Sequence, residues 1–457
     1  MSMLSDGRTF QPRAQSRQWS DVIMRQRELR DLPWSLVKNQ RVARAHLTGI
    51  PANLTVGSIV SLNGNSVGNL CSAPKQLRAA RVAAVLPHTL VLIDTLAPAG
   101  GFTDAELLAL GTAFDTLGFA VDTVNFGAST DIDDNNRVAI FFTPVVNALT
   151  AAAGAVVAGF FTARDLFSAD PRNGCIGSNE GEMFYMSVPD PQRTINGNYA
   201  SKASVYRTVA PTLVHEFQHL INAGHRIYLT DATEFEQLWL NEGLSHLAEE
   251  LMYYRVSGNG PRAKLGLSTL ISSPAQLDAA NTYVVDNMVN VSEYMVAPES
   301  NAPYANNDLL ETRGAAWQLL RYSGDRKGGQ ETSTWRALIN SSFSGIANFG
   351  NVFGNATTFT RDWVVAQFTD DVGLPVAVNY TNPSWNYRTV LPPLQQNGLF
   401  PLRTQQLLSA PVSVSLVSGG ASYTRFRVAA SGLATVFGSS AGGAVPAGVE
   451  FMLVRTQ

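Results

Sequence analysis

The spacing of apolar and polar positions changes along the chain, and each change predicts a different kind of element. Between residues 42 and 94, runs such as Ser58-Ile-Val-Ser-Leu62 and Thr89-Leu-Val-Leu-Ile93 are short, β-branched and separated by Gly, Asn and Pro. They predict the strands of a small β domain. Ala97-Pro-Ala-Gly-Gly101 reads as a linker behind it. Thr103 then precedes Glu106, Leu107, Leu108 and Leu110, which predicts a capped helix over 103–117. The longest uncharged run, 138–163, has the length of a membrane span but is interrupted by Pro144, Asn147, Gly154 and Gly159. A buried strand at 138–142 followed by a loop is the better expectation, because irregular backbone is barred from lipid.

Helical periods follow. Leu213, Val214, Phe217, Leu220 and Ile221 make one apolar stripe over 211–223, and Leu240, Leu244, Leu247 and Leu251 make another further on. Stretches 309–322, 332–341 and 358–368 carry Trp317, Trp335 and Trp363 among aliphatic residues. They read as the core of a helical lobe, not as a cofactor box. From Leu391 onward, alternation returns at 412–416, 423–428 and 449–454, predicting a terminal β module. The expected organisation is α+β: a polar, Arg-rich and partly disordered lead (1–35), a β domain (36–98), a central body (99–390) and a C-terminal β module (391–457).

Composition narrows the function. The 457 residues carry a formal net charge of −3, with 15% charged. Their basic residues are scattered, so neither nucleic acid nor a membrane surface is an expected partner. That length allows two or three domains and a substantial core. The two cysteines, Cys71 and Cys175, are compatible with one disulfide in an oxidising compartment or with two buried thiols. Residues 1–20 lack the apolar core of a signal peptide.

The chemistry lies in His215-Glu216-Phe217-Gln218-His219. On a helix, positions i and i+4 share a face, so both imidazoles can reach one metal ion while Glu216 takes a proton from a water there. A catalytic zinc site needs a third protein ligand. Glu242, in Trp239-Leu240-Asn241-Glu242-Gly243, shares a face with His246, Glu249 and Tyr253 opposite the leucines of the second stripe. Two antiparallel helices packed through their apolar sides would point His215, His219 and Glu242 into one cleft. His246 or Glu249 would then orient a ligand from behind.

His215–His219 followed by W-L-N-E-G resembles the gluzincin pattern, and W-L-N-E-G is similar to that of aminopeptidase-N-like enzymes. The wider phrase Leu213-Val-His-Glu-Phe-Gln-His-Leu-Ile-Asn222 with W-L-N-E-G-L-S-H resembles secreted bacterial metallopeptidases of the hyicolysin type, over residues 205–255. The resemblance implies a gluzincin-like catalytic domain, with a mixed sheet, zinc-site helices and a helical lobe. In that domain His215, His219 and Glu242 ligate Zn²⁺, and Glu216 is the base. It also implies export with the signal removed, and a strand near 181–187 that pairs with substrate. Two motifs depart from the aminopeptidases: Glu311-Thr312-Arg313-Gly314 puts glutamate where their Y-x-K-G has tyrosine, and G-x-M-x-N is absent. An endopeptidase acting on protein or peptide is therefore expected, with Tyr253, Tyr294 and Tyr304 as candidates to steady the transition state.

Other readings remain open on the residues. His225 stands six after His219, as in the metzincin motif, with Asn222 in the glycine place and Met295 as a candidate Met-turn. Asp131-Ile-Asp133-Asp134-Asn135-Asn136 begins like a calcium loop, but Phe142 stands where the closing glutamate belongs. A turn is favoured there, with Ca²⁺ the alternative. The opposing class is a non-catalytic binding or adhesive protein on a peptidase fold; retention of Glu216 speaks against it.

Overall fold

The computed structural model describes Phe10, 20–37, 47, 49–151, 156–172, 174–305, 307, 309–408, 410–429, 432–433, 435–440 and 443–456. Strands Ile59–Asn63 (β1), Leu77–Val85 (β2), Thr89–Asp94 (β3), Val138–Phe142 (β4), Gly159–Phe161 (β5) and Met183–Met186 (β6) form one six-stranded sheet, ordered β1-β2-β3-β4-β6-β5. The first three strands are an antiparallel meander, β3, β4 and β6 run parallel, and β5 closes the far edge antiparallel to β6. The strands expected to stand apart as a β domain over 36–98 therefore begin the central sheet. The reason is visible in β3, which is buried along its whole length and so takes a partner on both sides, as parallel-sheet strands do.

Alternation sorts these strands onto two cores. Leu90, Leu92, Ala139, Phe141, Met183 and Tyr185 pack on one face with Met24 and Leu62. Val91, Ile93, Val138, Ile140, Phe142, Phe184 and Met186 face the helices on the other. The uncharged run 138–163 resolves into β4, a short helix at Pro144–Ala148 and β5.

The helices are Ser20–Asp31 (α1), Asp104–Ala113 (α2), Phe119–Phe126 (α3), Pro144–Ala148 (α4), Lys202–Gly224 (α5), Leu238–Ser257 (α6), Leu267–Leu270 (α7), Pro274–Tyr283 (α8), Val285–Val296 (α9), Leu310–Lys327 (α10), Glu331–Ile339 (α11), Gly345–Phe353 (α12), Ala356–Thr369 (α13) and Tyr387–Val390 (α14). The capping box read at Thr103 is present: Thr103 N–H donates to Glu106 at 2.7 Å and Glu106 N–H to the Thr103 hydroxyl at 3.3 Å. A π turn joins α2 to α3, and by length and hydropathy 104–126 is the one helix among the described residues with the character of a membrane span. Its Leu107, Leu110, Phe114 and Phe126 are buried in the main core.

Trp317, Trp335 and Trp363 are fully buried in the helical lobe, as expected of core residues. Of the lead expected over 1–35, residues 1–9 and 11–19 lie outside the described residues. The lead is helical from Ser20, with Met24, Arg25, Glu28, Asp31 and Leu32 buried. Its buried face sets the paired charges of Arg25 and Glu28 beside Met24, a mixture that hydrophobicity alone does not reveal. At the other end, β structure is confined to the two-residue strands Gln405–Gln406 (β7) and Thr424–Arg425 (β8) among the described residues. Phe451 and Leu453 there are exposed, so the alternating stretches lack an apolar surface to bury one side against.

Candidate metal centre

Ser201 starts α5 by accepting a hydrogen bond from Ser204 N–H at 3.0 Å. Helical spacing then stacks His215 and His219 one turn apart, with their Nε2 atoms 3.2 Å from each other. Contacts between α5 and α6 run in opposite order: His219 meets Asn241 and Ser245, whereas His215 meets Glu249. The two helices are therefore antiparallel, and they bring Glu242 between the imidazoles at 3.4 Å from His215 Nε2 and 3.5 Å from His219 Nε2. Gly243 allows α6 this depth, since a Cβ there would stand 2.9 Å from Leu320 and 3.2 Å from Ala316 of α10.

These three donors have the separations a metal ion requires. Ligands about 2.0–2.1 Å from a tetrahedral zinc lie about 3.3–3.4 Å from one another. The carboxylate also has hydrogen-bonding capacity to spare. Glu242 is 0% exposed, and although ion-paired to Arg313 at 3.0 Å, neither of its oxygens receives a well-formed hydrogen bond. A buried carboxylate left this way is costly unless a cation completes its shell. The three residues fit a divalent metal.

The surroundings fix the ligand atoms. Glu249 lies 2.9 Å from His215 Nδ1, and Asn241 and Ser245 both lie 3.1 Å from His219 Nδ1, so each ring is left presenting Nε2. Of the two residues expected to orient a ligand, Glu249 makes the contact, while His246 packs its ring edge-on against His215 and sets its Nδ1 3.5 Å from the same Glu249 oxygen. Burial alone would raise the Glu242 carboxyl, but Arg313, His219 and His215 outweigh it and hold it ionised, well below the carboxylate range. Burial pushes His219 well below the ordinary histidine value, toward the neutral form a ligand needs. Burial also disfavours charge on His215, yet Glu242 and Glu249 beside it prevail and lift it to about 10 before any ion competes. Arg313 was not anticipated from sequence; the available signal was a basic residue before a glycine in Glu311-Thr312-Arg313-Gly314. Gly314 packs with no room for a Cβ against the backbone of Asn290, which brings Arg313 close.

Glu216 is buried beside the histidines, and its Oε2 accepts the N–H of Phe161 in β5 at 2.7 Å. The sheet edge at the site is thus β5. The strand expected to pair with substrate near 181–187 is β6, an interior strand between β4 and β5, because the chain returns after β5 to fill the position inside it. Arg25 of α1 also reaches the site, 3.9 Å from Glu216 Oε2.

The rival residues lie elsewhere. His225 bonds Asn340 at 2.9 Å through Nδ1 and the Ala128 carbonyl at 2.8 Å through Nε2, so the metzincin third ligand is engaged away from the cluster. Met295 is buried within α9 rather than in a turn. Tyr253 bonds Asn259 at 3.0 Å, Tyr294 stacks on Trp363, and Tyr304 bonds Thr360. Beyond His215, His246 and Glu249, which share a residue with the first cluster, Asp131, Asp133 and Glu182 form a separate group close enough to hold an ion, and each accepts backbone N–H groups. Asp131 accepts Asn135 and Asn136 N–H, Asp133 accepts Ile50 N–H, and Glu182 accepts Ile132 N–H.

A mixed α+β fold with a buried His/His/Glu cluster is an arrangement suited to a metallopeptidase. No described protein family matches the chain. Over 216 residues it is 28% identical to the neutral metalloprotease ShpI of Staphylococcus hyicus, a match covering 46% of this chain and 46% of that protein. The chain thus spans about half the length of the relative it matches.

Proposed function

We propose that the protein is a zinc-dependent endopeptidase in which His215, His219 and Glu242 hold the ion and Glu216 is the general base. The observation that carries this reading is the convergence of two Nε2 atoms and one carboxylate at 3.2, 3.4 and 3.5 Å, in a chain related to a neutral metalloprotease. A bound ion would acidify a water and polarise the carbonyl of the bond to be cut. The Phe161 N–H fixes the plane of the Glu216 carboxylate through Oε2, and the other oxygen takes the water proton and delivers it to the departing amine. Glu249 keeps His215 in the tautomer that presents Nε2. Arg313 keeps Glu242 ionised. The endopeptidase assignment rests on the absence of G-x-M-x-N, and an extracellular location on the disulfide between Cys71 and Cys175.

The test is hydrolysis of fluorescein-labelled casein by zinc-loaded protein, directly and after light trypsin treatment quenched with a serine-protease inhibitor, beside Glu216→Gln handled identically. Cleavage by the wild type alone is expected. Equal cleavage by both, or none by either with zinc bound, overturns the reading.

A further inference from the structure

The metal centre is deeply buried: His215 is 5%, Glu216 2%, His219 2% and Glu242 0% exposed. On the side of β5 the element that covers it is α1, through Arg25. A β-strand offers the N–H and C=O of alternate residues to the same side. Phe161, the last residue of β5, and Ala163, which opens the turn after it, make such a pair; with the Phe161 N–H held by Glu216, the Phe161 carbonyl and the Ala163 N–H are the groups an added strand would take. Both are already held. The Arg25 guanidinium donates to the Phe161 carbonyl, and Glu28 accepts the Ala163 N–H at 2.5 Å. Arg25 and Glu28 also pair with each other, and Arg25 extends to within 3.9 Å of the Glu216 carboxylate. A cleft remains between α1 and the metal helix, lined by Arg25, Glu28, His219 and Asn241.

From this we propose that α1 is an autoinhibitory strap: it occupies the backbone positions of an extended substrate on β5, and the chain stays latent until α1 is displaced. This inference rests on the peptidase reading. The attachment is suited to release. α1 holds the sheet edge through charged and polar groups at 25 and 28, one turn apart, and it is tied to the β1–β2 loop by Asp31, which accepts Leu70 N–H at 2.9 Å. Its own apolar anchorage rests on Met24; past its end, Leu32 and Val37 enter the core and Trp34 packs edge-on against Phe235. Water can take over bonds of this kind once α1 lifts from the edge. The side chain of Arg30 is 65% exposed on the outer surface, within reach of a trypsin-like protease.

The full-length zinc-loaded chain and its Arg25→Ala/Glu28→Ala variant are compared by two readouts. One is the rate of zinc transfer to 4-(2-pyridylazo)resorcinol, which needs no catalysis; the other is hydrolysis of fluorescein-labelled casein. The variant is expected to release zinc and to cleave casein at least tenfold faster. Unchanged rates in both readouts overturn the strap. Faster zinc release with no cleavage in any form upholds the strap and overturns the peptidase reading. As a check independent of folding of the variant, wild-type protein is nicked with trace trypsin and the cut mapped by mass spectrometry. A cut within 25–31 that leaves both rates unchanged overturns the proposal; a tenfold rise in zinc release accompanying that cut supports it.

Discussion

Two three-residue clusters of possible metal ligands, His215/His219/Glu242 and Asp131/Asp133/Glu182, differ in what their acceptor atoms do. At Asp131, Asp133 and Glu182 each carboxylate accepts backbone N–H groups, which shape the turn before β4. At His215, His219 and Glu242 the acceptors face one another at 3.2–3.5 Å, and the bonds to other groups lie on the far side of the rings. The contrast teaches that a cation site is recognised by acceptors left unfilled, not by acidic residues gathered together. It also explains why the second cluster serves local structure whether or not an ion visits.

Substitutions test the contrast, beginning with the greatest effect. Glu216→Gln keeps the shape and the hydrogen-bonding reach of the base but not its proton affinity. It should lower kcat/KM on casein by about 10²–10⁴-fold while zinc binding, followed by calorimetry, is kept. Arg313→Ala leaves the Glu242 carboxylate buried without its partner, and loss of one member of a buried pair costs about 3–5 kcal/mol. A lowered thermal midpoint in metal-free protein, largely restored by zinc, is expected; an equal loss with and without zinc would separate Arg313 from the metal ligand. Glu249→Ala frees the His215 ring, and a loss of about 10–100-fold in zinc affinity is expected from competition with a chelator.

The smallest effect belongs to the other cluster. Burial first, and then neighbouring carboxylates, push Asp133 and Glu182 up to about 7. Folded protein therefore binds protons between pH 4 and 7 that the unfolded chain has released, so this cluster's contribution to stability falls as pH rises through that window. Asp133→Asn should flatten the slope, changing urea stability between pH 4 and 7 by on the order of 1–2 kcal/mol, with casein hydrolysis unaffected. An unchanged slope would show that the cluster does not titrate there.

Much of this was legible in the chain. The period of Leu213, Phe217 and Leu220 and the leucines after Leu240 placed both site helices, and i/i+4 geometry placed the histidines. What was not legible depended on contacts between distant segments. The outer position of β5 follows from a crossover that local pattern does not encode. Arg25 and Arg313 look like ordinary surface cations until packing buries them beside carboxylates. The terminal alternation at 412–416 and 449–454 had the right period, yet period alone does not supply the apolar surface that makes a strand pay.

The bond between Cys71 and Cys175, 104 residues apart in sequence, divides the consequences of a break in the backbone. A nick anywhere between the two cysteines leaves the fragments covalently joined. A nick upstream of Cys71 leaves the amino-terminal fragment secured by noncovalent bonds alone, so α1 belongs to the part this protein can shed while the rest stays in one piece. Reduction would remove that asymmetry, together with about 4–5 kcal/mol of chain-entropy stabilisation from a loop of this size.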